Sequence, residues 1–185
     1  MANTQCPALE NYIAGEQCNE SLAGMGEVVY AFERNKLKNA LTRTNETYAW
    51  PSDAFKEGAG LYKFECKRES QQIQGESQGP RKGFMITGNF VLEAVDQTSA
   101  RILRAINNLD LGFIFPGDNE TQILYDVNRK VQAESGGITT DTGAAAGDDR
   151  QSNVAVQLGP VPYPNLFIDQ TTVPSGGWDS LMAGA

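Results

Sequence analysis

Three cysteines, Cys6, Cys18 and Cys66, and no histidine at all set the reactive inventory of this chain. No Cys-x-x-Cys pair occurs, and zinc sites of the usual kinds need four sulfur or imidazole ligands, so none can be assembled. The absence of histidine also removes Ser-His and Cys-His nucleophilic catalysis and the commonest general base near neutral pH. The three thiols read as reduced, small apolar side chains. Carboxylates remain. A pair such as Glu65 with Glu93, on neighbouring strands, has the residue types for cleaving a glycosidic bond if held at the right separation, although a charged sheet face explains the same residues. Asp118-x-Glu120 and the group Asp141, Asp148 and Asp149 offer hard oxygens to calcium, but the EF-hand ligand order and its central glycine are missing, which favours a solvated loop.

Gly24-Met25-Gly26 and Gly136-Gly137 have neither the spacing of a P-loop nor that of a dinucleotide-binding turn, and read as turns. Asn45-Glu46-Thr47 and Asn119-Glu120-Thr121 match the glycosylation triplet, which carries little weight without a secretion signal. Tyr48, Trp50 and Trp178 lie in polar, proline-containing segments, where an aromatic ring either stacks on a sugar or anchors a protein contact; the contact is the favoured use. The inventory therefore predicts no catalytic residue, no metal site and no cofactor.

The elements that position these residues are read from periodicity. From Gly83 to Ala94 the chain alternates strictly, with Phe84, Ile86, Gly88, Phe90 and Leu92 on one face and Met85, Thr87, Asn89, Val91 and Glu93 on the other. The period then changes to that of a helix over 96–109, in which Asp96 can cap and Ser99, Ile102, Leu103 and Ile106 share a stripe, with Gly112 ending it. The spacing predicts a helix laid on the Phe84–Leu92 face. Shorter alternations mark strands at Val28–Phe32, Tyr62–Cys66, Ile123–Val127 and Val154–Leu158, and the polar run Glu69–Gln78 reads as a strand or hairpin almost without a core face, turning at Gly79-Pro80. Asn35 to Ala59 is too long and too aperiodic for an ordinary connection and carries Tyr48, Trp50 and Phe55. Gly159 to Ala185 is rich in Pro and Gly and predicts an irregular arm bearing Phe167, Trp178 and Leu181.

At 185 residues, with 40% apolar and 21% charged side chains, the chain is expected to form one globular domain. That domain divides into an N-terminal arm (1–24), a β core (25–158) and a C-terminal arm (159–185). No stretch reaches the ~18 apolar residues of a membrane span, so no membrane insertion is expected. Residues 1–10 have neither the basic nor the apolar part of a signal peptide, which predicts a chain that stays in the cytoplasm where it is made. The net charge of −8 and the lack of a basic stripe argue against tight binding to DNA. The expected fold is mainly β: an antiparallel β-sandwich or half-barrel with one packed α-helix, a long inserted loop and extended arms.

The strand Met85–Leu92 followed by the helix 96–108, the long loop after the first strand, and an acidic domain without catalytic residues together resemble the tail tube proteins (major tail proteins) of tailed bacteriophages. The resemblance covers Glu27 to Leu158 as architecture. It implies a structural virion protein that forms stacked, hexameric rings, each subunit giving strands to a barrel through which DNA passes. The partners it implies are other copies of the chain, other phage tail proteins, and DNA as transient, non-specific cargo, in a virion tail assembled in the host cytoplasm. In that setting Lys63, Glu65, Lys67, Glu69, Thr87, Asn89 and Glu93 are candidates to face the lumen. Tyr48, Trp50, Phe55, Phe167, Trp178 and Leu181 are candidates for contacts between subunits. Two other readings compete: another virion subunit, such as a capsid decoration protein, connector or tail terminator, and a carbohydrate-binding β-sandwich using Tyr48, Trp50 and Trp178.

Overall fold

A computed structural model describes residues 25–117, 120–144 and 148–183, so the expected N-terminal arm, with Cys6 and Cys18, lies outside the described residues. Eleven strands and one helix follow one another: β1 (Val28–Glu33), β2 (Thr42–Thr44), β3 (Thr47–Ala49), β4 (Tyr62–Glu65), β5 (Gln72–Ser77), β6 (Phe84–Leu92), α1 (Gln97–Asn108), β7 (Leu111–Pro116), β8 (Thr121–Leu124), β9 (Gln132–Asp141), β10 (Gln151–Val161) and β11 (Phe167–Ile168). They form a seven-stranded sheet in the order β2-β3-β11-β8-β7-β1-β4 and a four-stranded sheet in the order β5-β6-β10-β9. The fold is mainly β with one helix, as the alternation predicts. Pairing is antiparallel except between β11 and β3.

The two sheets pack face to face. Ile86, Gly88, Phe90 and Leu92 of β6 are all buried, and Thr87, Asn89 and Val91 between them are half-exposed, so the period of two is realised along the strand. The Phe90 ring stacks on Phe64 of β4 at 6.3 Å and meets Phe113 and Phe115 of β7 at 6.1 and 6.2 Å. Aromatic pairs at such separations add to the ~1.5–3 kcal/mol that burying each large side chain contributes. Gly88 sits where β6 crosses β7 and β8: a Cβ there would come within 2.8 Å of Leu124 Cδ1 and 2.9 Å of Phe115 Cζ.

The partner of the apolar β6 face is thus the second sheet, which corrects the expected helix-on-sheet packing. The helix itself forms as its sequence requires. Asp96 accepts from the Ser99 backbone N–H at 2.7 Å while its own N–H donates to Ser99 Oγ at 2.8 Å, closing both orphan groups at the helix start. Leu103 and Ile106 are buried and belong to the core, but α1 lies against β9, and it reaches the β6 face where Ile102 and Leu92 line one cleft.

A third layer covers the other side of the seven-stranded sheet. Phe32 of β1 meets Trp50 at 5.6 Å, Tyr125 at 5.9 Å and Phe55 at 6.3 Å, and Trp50 meets Trp178 at 5.2 Å nearly at right angles. Residues 35–59, expected as one long loop, extend the seven-stranded sheet at its edge through the β2–β3 hairpin, form a bridge between Leu37 and Phe55, and lay Trp50 and Phe55 on Phe32. The expected C-terminal arm does the same. β10 runs through Pro160 to Val161, the chain then passes under β5 where Gly75 leaves room for the Pro164 backbone, and β11 enters the sheet between β3 and β8. The end of the tail bridges Leu61 through Met182. Proline excludes long regular elements from this segment, but short strands and 3-10 turns satisfy its backbone groups.

Candidate functional site

Two surfaces stand out. The first is a cleft of about 630 Å³ at the Leu92 end of β6. Its floor is apolar, from Val28, Phe64, Leu92 and Ile102, and its rim carries Glu27, Glu65, Glu93 and Asp96. The fold brings Glu65 and Glu93 to one cleft, although not on neighbouring strands as expected: Glu65 belongs to the seven-stranded sheet and Glu93 follows β6 of the other. Asp96 is committed to the helix cap, and the Ser99 backbone N–H holds its carboxyl below the usual aspartate range. Glu27 lies 3.7 Å from Arg68, whereas Glu65 and Glu93 make no ion pair among the described residues. Cys66, which also lines the cleft, is buried, and burial pushes its thiol up to about 11, so at neutral pH it is a thiol and a poor nucleophile. Among the described residues no group of three or more Cys, Asp or Glu side chains converges to hold a metal ion, and no helix is long and apolar enough to cross a membrane.

The second surface is the outward face of the four-stranded sheet. Registers place Gln74 opposite Thr87, Thr87 opposite Gln157, and Gln157 opposite Gln132, so a row of amides and hydroxyls crosses all four strands. Gln72 and Asn89 begin a second row, and Asn153 and Thr139 a third. Gln157 Nε2 donates to Thr87 Oγ1 at 3.4 Å and Asn153 Nδ2 to Thr139 Oγ1 at 3.2 Å. None of β5, β6, β9 or β10 contains a lysine or an arginine. β5 and β9, the outermost strands, are exposed along most of their length.

The residues assigned to a lumen do not share one surface. Thr87 and Asn89 lie on the amide face. Lys63 and Glu65 lie in β4 opposite Tyr30 and Val28, on the far side of the other sheet, where Lys63 Nζ donates to Asp179 of the tail at 3.2 Å. Lys67, Glu69 and Glu93 sit at the junction between sheets, and Lys67 Nζ contacts Asp149 at 2.6 Å, which raises the lysine and lowers the aspartate. Strand alternation keeps Lys63 and Glu65 on one face of β4, and the crossing from β4 to β5 separates both from β6.

The residues assigned to subunit contacts are also placed otherwise. Tyr48 is 1% exposed, Trp50 3% and Trp178 7%, and all three belong to the chain's own core. Phe55 and Leu181 pack against the same core, and Phe167 is half-buried in β11 between β3 and β8. An aperiodic segment rich in aromatics had to be covered, and the chain covers it with its own sheet. Sequence reasoning missed the row Gln74, Gln157, Gln132 and the length of β9. The lack of basic residues over both halves of this sheet was the available signal. Comparison with protein families, with curated proteins and with solved structures finds no match to this chain.

Proposed function

We propose that this chain is a non-enzymatic virion subunit that polymerises as stacked rings, hexameric as the resemblance implies, into the tail tube through which a phage passes its DNA. The observation that carries this reading is the uncovered face of the four-stranded sheet, rich in amides and hydroxyls with Met85, Val91 and Ala155 among them, and without a lysine or arginine in any of its strands. A conduit must not grip its cargo: phosphates held by lysine and arginine would stall, while amides and hydroxyls exchange readily with water. The lining in this reading is a wall of amides and hydroxyls, led by Thr87 and Asn89, whose strands carry the carboxylates Glu76, Glu134 and Asp141 and no cation.

Edge geometry supports the same reading. All pairings in this sheet are antiparallel and the strands number four, so β5 and β9 at its edges run in opposite directions. A second copy in the same orientation, related by rotation, then meets β9 with its β5 antiparallel, which is the condition for a heterologous ring. The seven-stranded sheet is blunted at both ends, by the three-residue β2 and by the tail on the start of β4. Partners in this reading are the chain itself, other tail proteins and DNA as passing cargo.

Negative-stain microscopy of the purified full chain tests the proposal: tubes or stacked rings are expected. Featureless monomers at high concentration, or monomers that coat capsids, would sink it, the latter in favour of a decoration protein. The carbohydrate-binding alternative has lost its anchors, because Tyr48, Trp50 and Trp178 present no ring to solvent.

A further inference from the structure

We infer that two copies of this chain join head to tail by seating the β5–β6 hairpin tip of one, Pro80-Arg81-Lys82, in the cleft beside Leu92 of the next. The two features lie at opposite ends of one strand. β6 starts just after the tip, at Phe84, and ends at Leu92 in the cleft, roughly 30 Å away at ~3.3 Å per residue. A displacement along β6 therefore carries the tip of one copy to the cleft of another.

Their chemistry is complementary. Pro80, Arg81 and Lys82 are all exposed, and neither cation has an ion pair or side-chain hydrogen bond among the described residues. The cleft offers an apolar floor to the proline ring, from Val28, Phe64 and Leu92, and to the cations the carboxylates Glu65 and Glu93, neither in a close ion pair, although Lys67 feels the charge of Glu93. Lys63, the cation in the cleft, is already engaged by Asp179. Opposite charge at the two ends of one element, a basic tip and an acid-rimmed apolar cleft, fits a contact in which the partner is a second copy. Such a contact uses different surfaces on its two sides and does not close on itself, so it propagates along β6. It rests on the reading of the chain as a self-assembling subunit and supplies the axial joint.

Zero-length cross-linking tests it. A carbodiimide joins the Lys82 amine to a glutamate carboxyl as an amide, the water lost being taken up by the reagent as its urea. With a mixture of ¹⁵N-labelled and unlabelled full-length chain, mass spectrometry is expected to find Lys82–Glu65 or Lys82–Glu93 links in mixed-label form. Their yield should fall at least tenfold in 1 M salt, where the screening length shrinks to ~3 Å. The variants Arg81→Glu/Lys82→Glu and Glu65→Lys/Glu93→Lys should each fail to lengthen alone, and an equimolar mixture should lengthen again, since acidic tips then face basic clefts. Absence of the mixed-label link, or no recovery on mixing, would overturn the contact. Tubes of normal length from either variant alone would overturn it and leave the tube reading in place. The link without any tubes would support the contact and sink the tube reading.

Discussion

The Tyr30 hydroxyl donates to Asp179 Oδ1 at 2.7 Å, joining the first strand of the described chain to its tail 149 residues later. Asp179 also accepts from Lys63, and the two donors, Tyr30 first, hold its carboxyl below the usual aspartate range; burial and that carboxylate push the Tyr30 hydroxyl well above the ordinary tyrosine value. Tyr30→Phe should cost about 1 kcal/mol in urea unfolding, low for a bond to a charged group because Asp179 is largely exposed. The aspartate has a depressed folded value, so its contribution is full above the ordinary aspartate range and is lost as pH falls below it. The stability gap between wild type and Asp179→Asn should accordingly close in acid and be constant from pH 5 to 8.

Alkaline titration should act in the opposite sense. Burial pushes Tyr48 up to about 12 and Cys66 up to about 11, above their ordinary values of 10.0 and 9.0. Raised groups stabilise fully below their unfolded values and lose that contribution as pH rises toward the folded ones. Stability should decline from about pH 9 toward 12. Cys66→Ala should remove the part of the decline that begins near pH 9, measured by denaturant midpoints across that range.

Trp50→Ala should unfold or strongly destabilise the monomer, by ~3–5 kcal/mol, because its ring lies within 6 Å of Phe32, Phe55 and Trp178. Deleting residues 38–56 should likewise abolish folding. A stable, soluble monomer from either change, seen by circular dichroism and thermal melting, would show that the third layer is dispensable.

Leu103→Ala in the helix should cost ~2–5 kcal/mol, since Leu103 is 6% exposed. Gly88→Ala should cost ~1–3 kcal/mol through overpacking, because Leu124 and Phe115 already occupy the space a methyl would take. Denaturant unfolding measures both. A neutral Gly88→Ala would mean the two sheets stand further apart than described.

By itself the sequence determined what local periodicity and capping chemistry determine. The alternation from Phe84 to Leu92 and the Asp96–Ser99 cap appear where the residues place them, because pleat and first-turn hydrogen bonds depend on neighbours a few positions away. The absence of histidine, and with it a whole range of catalysis, is likewise a property of the chain alone. Tertiary structure decided what covers each apolar face. Nothing in the order of residues says whether the Ile86–Leu92 face meets a helix or a second sheet, or whether Trp50 and Trp178 bury themselves at home or on a neighbour, since burial is non-directional and any apolar partner satisfies it. Long-range pairing also made β9, whose Gly136 and Gly137 read as a turn until β10 supplies hydrogen-bonding partners on either side of a register shift. The same pairing gathered scattered glutamines and threonines into one face, and placed Arg81 and Glu93 at opposite ends of it.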